Sequence, residues 1–318
     1  MTRLPPGAAA VLRLLVAAAL VGAVVATTDV SQAARGVRRL SWGVLVLGVA
    51  LMVLWNSLNS LRWGIVLRGL GHAQPARLTW SVGMIGLFFS QFLPSSVGGD
   101  AVRVALMARR GVPLGVSLGG TLTDRALALL FIAVAVLLAA PATAQRLADW
   151  RLTALVCGAA LAVTLAGALP LLPVDWHGLL PRPLKALAGP VEHYRSTLLR
   201  GPGRPALGLL CAASYVMPCL VFYAFARDLG VGLALTDCLL LVPPVVLASA
   251  LPLSFAGWGV REVSVVGLFG AAGIAPEDAL VLSVAFGATV AAAGLIGGVV
   301  WQVSGLRRAA APGGATAG

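Results

Sequence analysis

Along the chain, apolar runs alternate with short connectors rich in arginine, and the runs come in two lengths. The long ones cover residues 10–26, 42–58, 117–140, 152–172, 206–226 and 279–303, and they approach or reach the roughly 20 residues a helix needs to cross the hydrocarbon core. Two shorter runs, 78–92 and 236–251, stop at prolines, Pro94 and Pro252, and short apolar stretches follow from near Asp100 and from Val260. Proline cannot continue a helix and biases the residue before it away from helical geometry. Each pair of short runs is therefore expected to form a broken hairpin that enters the membrane and returns to the same side, with Pro243-Pro244 interrupting the second hairpin as well. Non-helical backbone at membrane depth is tolerated only where protein or a wet cavity covers it. The short alternating segments of a closed barrel are missing. The pattern predicts an all-α polytopic membrane protein of eight or so hydrophobic segments: about six full spans plus two re-entrant hairpins.

The two broken stretches are copies of one another. Leu93-Pro94-Ser95-Ser96-Val97-Gly98-Gly99-Asp100-Ala101-Val102-Arg103 aligns without a gap on Leu251-Pro252-Leu253-Ser254-Phe255-Ala256-Gly257-Trp258-Gly259-Val260-Arg261, 158 positions later, and six of the eleven residues are identical. Flanking spans obey the same offset, so the chain reads as an internal duplication. Repeat 1 covers about 42–140 and repeat 2 about 206–303. They are joined by a basic interfacial connector at 173–205, within a single transmembrane domain at 1–308 followed by a flexible tail at 309–318. Three full spans separate the hairpins. An odd number makes the copies enter from opposite faces, which is the inverted-repeat plan of many secondary transporters.

Composition agrees with the pattern: 59% of residues are hydrophobic and 11% charged, against about 25% charged in soluble domains. The net charge of +12 would suggest nucleic acid in a soluble chain. Here arginines at span ends carry the ordinary topology signal, and no basic stripe interleaved with aromatics points to a nucleic-acid partner. With the amino terminus inside, Arg62, Arg68 and Arg77 in a basic connector after the second span, Arg109, Arg110, the five basic residues of the 173–205 connector and Arg307-Arg308 all fall inside. Arg35, Arg38, Arg39, Arg146, Arg151 and Arg227 fall outside, so both termini are expected in the cytoplasm. Cys157, Cys211, Cys219 and Cys238 lie in or beside apolar runs without CxxC spacing, and His72, His177 and His193 are scattered. No metal site, catalytic residue or cofactor is expected.

Six ionisable residues cluster around the repeated motifs: Asp100, Arg103, Asp124, Arg125, Arg261 and Glu262. A charge at membrane depth costs roughly 2.5–3.5 kcal/mol on insertion scales, so such residues are paired inside the protein or serve function. Mutual neutralisation that locks the hairpins in place is one reading. The other starts from Ser96, Gly98 and Gly99 in the first copy and Ser254, Gly257 and Gly259 in the second, where broken backbone exposes N–H groups at a half-helix start and favours an anion. Arginine adds a planar fork suited to phosphate. Together these residues describe a pocket near the bilayer centre for a polar or phosphate-bearing headgroup. Asn56 and Asn59, one turn apart, and Gln91 are candidate walls of it; the alternative for the two asparagines is interhelical hydrogen bonding.

These motifs carry a resemblance. Pro94-x-x-x-Gly98-Gly99-Asp100-x-x-Arg103, then Asp124-Arg125, then Pro252-x-Ser254-x-x-Gly257-x-Gly259-Val260-Arg261-Glu262 resembles the flippase-like transmembrane family of lysylphosphatidylglycerol synthases, formerly an uncharacterised membrane protein family. Gln91 and Asp124 stand where that family more commonly has Asn and Glu. The resemblance implies a bacterial inner-membrane, flippase-like transporter that moves a lipid or lipid-linked headgroup between leaflets. It does not imply synthesis, because an aminoacyl-transfer domain is not expected in a chain ending at Gly318. The alternatives are a partner subunit of a separately encoded lipid-modifying enzyme or glycosyltransferase, and a membrane-embedded transferase. The lipid and the oligomeric state stay open.

Overall fold

The structure, a computed structural model, describes residues 36–92, 98–147, 149–179, 181, 185, 188–201, 203–250 and 258–306. The first apolar run, the tips of both hairpins and the tail lie outside the described residues.

Twelve helices carry the fold within that range. Repeat 1 is built from α1 (Trp42–Gly69), α2 (Ala76–Phe92), α3 (Gly98–Ala108) and α4 (Leu114–Leu138). A short α5 (Ala140–Arg146) leads to α6 (Trp150–Ala168), and the connector holds α7 (Trp176–Leu179) and α8 (Ala188–Leu199). Repeat 2 is α9 (Arg204–Leu229), α10 (Leu235–Ser249), α11 (Val260–Ala271) and α12 (Pro276–Val303). Five helical stretches are long and apolar enough to cross a membrane: Trp42–Gly69, Leu114–Leu138, Trp150–Leu171, Arg204–Leu229 and Pro276–Val303. The chain is an all-α, multi-pass membrane protein.

Local chemistry sets the helix ends. The Ser41 hydroxyl accepts from the Val44 N–H to cap α1, and its own N–H and O–H donate to Asp228 at 2.7 and 2.8 Å, tying the start of α1 to the end of α9. Asp149 caps α6 by accepting from Arg151 N–H at 2.8 Å. Pro276 opens α12, where its missing N–H would have had no partner anyway.

The short helices are too short to cross. At 1.5 Å per residue, α2 and α10 (17 and 15 residues) reach about 25 and 22 Å, against a core of about 30 Å. Moving the chain by 158 positions takes Ala76–Phe92 to 234–250, where α10 runs Leu235–Ser249. Contacts follow the same duplication. The opening spans α1 and α9 pack on each other, α2 packs along α12, and α10 packs along α4. Each hairpin's first arm thus lies against the closing span of the other repeat. Small residues allow the approach: a Cβ on Gly297 of α12 would collide with the Met84 carbonyl of α2.

Two expectations are corrected. The span at 42–58 continues to Gly69, so Arg62 is not a connector residue but lies inside α1, 3% exposed. Asn56, Ser57, Asn59 and Ser60 make the sequence turn polar there, yet the helix continues because these groups find partners. Ser60 donates to Asn56 O and Arg62 pairs with Asp124. The second correction is that Pro243-Pro244 does not interrupt α10. Without an N–H at Pro243, the Leu239 carbonyl loses its helical donor; the Tyr215 hydroxyl of α9 donates to that oxygen instead, at 2.6 Å.

At the base of the second hairpin, Arg146 donates to Asp237 Oδ1 at 2.6 Å and to the Ala272 carbonyl at 2.8 Å, clamping the start of α10 and the end of α11 to α5. Burial opposes the charged form of Asp237, but Arg146 and the Ala234 N–H outweigh it and hold the carboxyl below its usual range.

Two outcomes are expected. Tyr215→Phe leaves the Leu239 carbonyl unpaired and costs about 1–3 kcal/mol; in a Pro243→Ala background, where the N–H returns, the same change costs clearly less, as read from unfolding in detergent. Arg146→Ala lowers the melting temperature at neutral pH through loss of a partly exposed pair, about 1 kcal/mol. Because the Asp237 carboxyl is depressed in the folded state, that difference is constant above about pH 5 and closes as the pH falls below about 4.

Candidate functional site

Gly99 of α3 lies so close to Gly86 of α2 that a Cβ would collide with the Gly86 carbonyl. This closes the first hairpin and sets Asp100 and Arg103 one turn apart at the start of α3. From them a chain of alternating charge runs across three helices. Arg62 Nε donates to Asp124 Oδ1 at 2.8 Å, and Arg103 Nη2 lies 3.7 Å from Asp124 Oδ2. Arg103 Nη1 lies 3.3 Å from Asp100 Oδ1, and Arg125 Nε donates to Asp100 Oδ2. The order is Arg62, Asp124, Arg103, Asp100, Arg125. Side-chain exposure is 3% at Arg62 and Asp124, 13% and 11% at Arg103 and Asp100, and 45% at Arg125. The Arg103 guanidinium also stacks 4.2 Å from the Trp63 ring centroid, while its Nε is buried without a partner.

The second copy is simpler. Arg261 donates to Glu262 Oε1 through Nη2 at 2.7 Å and Nε at 3.0 Å, and Ser283 donates to the same oxygen at 3.1 Å. Glu262 Oε2 accepts from the N–H of Gly259, whose φ of +87° suits glycine. The Arg261 guanidinium stacks 4.4 Å from the Trp258 ring. The two motif arginines are placed alike: each crosses a glycine of the neighbouring helix, Gly86 for Arg103 and Gly287 for Arg261, where a Cβ would collide with it, and each lies on a tryptophan.

Both arginines reach one cavity of about 340 Å³ between the repeats. On the repeat 1 side its wall holds Asn56, Asn59, Arg62, Gln91, Gly99, Asp100, Arg103, Asp124 and Arg125. On the other side are Ser214, Tyr215, Ser249 and Arg261 among apolar residues, including Phe222, Val245, Val246, Phe286 and Val290. The volume falls at the low end for a ligand pocket, about 300–1,000 Å³.

Most residues singled out from the sequence therefore meet. Gly98, Gly259 and Glu262 stand outside the cavity wall, Glu262 behind Arg261 as its counter-charge. Ser96, Ser254 and Gly257 lie outside the described residues. Asn56 and Asn59 fulfil both readings: they line the cavity, and Asn59 Oδ1 accepts from Ser214 of α9 at 3.0 Å. At the start of α11 the Gly259 N–H is taken by Glu262, while Asp100 in the first turn of α3 is bonded to Arg103 and Arg125. Arg62 is the residue the sequence reading misplaced. Its spacing from Asn56 and Asn59, three residues each time, puts all three on one helix face and was the available signal. Among the described residues, no group of three His, Cys, Asp or Glu side chains is placed to hold a metal ion.

The family described as Lysylphosphatidylglycerol synthase TM region matches residues 10–298, which takes in repeat 1, all but the last few residues of repeat 2 and every side chain of the cavity. The chain belongs to this lysylphosphatidylglycerol synthase transmembrane-region family. It is also similar to a "UPF0104 membrane protein" of Archaeoglobus fulgidus, 29% identical over 99 residues, a match that spans 31% of this chain and 30% of that protein. The family is a membrane domain, and in this chain the two motif arginines line one cavity.

The Arg62–Asp124 pair is buried on both sides, so removing one partner strands a charge. Asp124→Asn is expected to cost about 3–5 kcal/mol, and the apolar double change Arg62→Leu with Asp124→Leu much less. Denaturant unfolding of the purified variants measures both.

Proposed function

We propose that the protein is a flippase-like transporter that passes a lipid headgroup through the central cavity while the acyl chains stay in the bilayer. The observation that carries this reading is that Arg103 and Arg261, one from each hairpin, line the wall of one cavity. Rocking one repeat against the other would open that chamber to each leaflet in turn. The chamber is amphipathic in the way a headgroup and its glycerol end are, with charge on the repeat 1 side and apolar side chains on the other. No phosphate-binding GxxxxGK[ST] loop occurs in the sequence, and an ion gradient or the lipid gradient itself would supply the drive.

The protein acts by moving its substrate and not by transforming it. We place it in the cytoplasmic membrane with Arg68, Arg77, Arg109, Arg110 and the basic connector on the cytoplasmic side, following the positive-inside rule. A membrane lipid is its substrate, and a separately encoded enzyme would supply that lipid.

Dye-labelled phospholipid in proteoliposomes tests the reading. Leaflet exchange is expected to fall at least about tenfold in Arg103→Ala and Arg261→Ala, and to persist in Arg195→Ala on α8. Lipid turnover without exchange would make the protein a transferase. Neither activity, in protein that remains folded, would make it a partner subunit.

A further inference from the structure

We infer that Asp100 sets how much negative charge the cavity accepts, so that the site takes a phosphodiester and excludes a phosphomonoester. The inference rests on the headgroup reading above and adds the chemical class of the phosphate.

It follows from where the charges are and which of them are already spent. Arg62 and Asp124 neutralise each other at 2.8 Å, both 3% exposed. Arg261 is held by Glu262, with the glutamate out of the cavity wall. What remains is Arg103 and Arg125 with the Asp100 carboxylate between them, bonded to both. Two guanidinium groups thus share one carboxylate, and one positive charge is left over. The hairpin tips at 93–97 and 251–257 contain no ionisable side chain that would alter the balance. The surplus is also reachable: Arg125, in the cavity wall, is the most exposed member of the chain at 45%.

A phosphodiester carries one negative charge and cancels that surplus. A phosphomonoester carries about −1.5 to −2 near neutral pH, which leaves excess negative charge beside the Asp100 carboxylate in a poorly solvated chamber. Like charges at that range are costly when solvent screening is weak. Asp100 is thus a resident anion that occupies part of the cationic site and leaves room for one more charge.

The test compares phosphatidylmethanol with phosphatidic acid, lipids that differ by one methyl ester, for retention by the purified protein at pH 7.5 in native mass spectrometry. The wild type is expected to favour the diester by about tenfold or more. Asp100→Asn frees a second positive charge and should reduce or invert that ratio, Asp100→Glu should keep it, and Glu192→Gln on α8 should leave it unchanged. A wild type that holds phosphatidic acid as tightly as phosphatidylmethanol overturns the inference without any variant, as does an unchanged ratio in Asp100→Asn. Failure of the underlying reading looks different: Arg125→Ala and Arg103→Ala would then retain phosphatidylmethanol over uncharged diacylglycerol as well as the wild type does.

Discussion

Charge inside a membrane has to be answered by opposite charge, and in this protein five side chains answer one another in a single line. Arg62 on α1, Asp124 and Arg125 on α4, and Asp100 and Arg103 on α3 form alternating contacts that no two helices satisfy alone. The line therefore fixes the relative depth of α1, α3 and α4: sliding any of them by a turn would strand a guanidinium or a carboxylate in apolar surroundings. Hydrophobic burial has little preference between helix neighbours in lipid. Polar pairing and close glycine contacts decide instead, and here both converge on the first hairpin.

The duplication is symmetrical in architecture and asymmetrical in charge. Arg103 and Arg261 occupy equivalent places, each across a glycine and against a tryptophan. The other charged positions of repeat 1 have no charged counterpart 158 residues later: Asp100 corresponds to Trp258, Asp124 to Leu282 and Arg125 to Ser283. Repeat 2 instead supplies Glu262 next to its own arginine, a pair closed by Ser283 and the Gly259 N–H. One wall of the chamber is thus a charged surface with a reachable cation, and the other is mostly apolar with a neutralised one. Two copies of a motif have become two different halves of a site.

Tyr215 joins the site to the scaffold. Its hydroxyl completes the carbonyl that Pro243 leaves unpaired, and the same residue lines the chamber. The proline-bearing arm of the second hairpin is supported by a contact from the opening span of its own repeat. Arg146 holds the base of that hairpin from outside both repeats. The hairpin is thus secured at its base and along its shaft, and Ser249, Ala250 and Arg261 on its two arms line the cavity.

Much of this was legible in the residues. Apolar run lengths, the prolines that end the short runs and the offset between copies determined the all-α class, the spans and the hairpins, because a backbone in lipid must satisfy itself and helix length then follows from bilayer thickness. The same residues marked Arg103, Asp124 and Arg125 as charges needing a reason. Partner choice was not legible. Arg62 read as the start of a basic connector, and Pro243-Pro244 read as a break, since both depend on groups far away in the chain: Asp124 in one case, Tyr215 in the other. Hydropathy is a property of each segment, whereas pairing of buried charges and unpaired carbonyls is a property of neighbours. Only the tertiary structure brings those neighbours within reach, and it alone decided that Glu262 neutralises Arg261 while Asp100 is shared between two arginines.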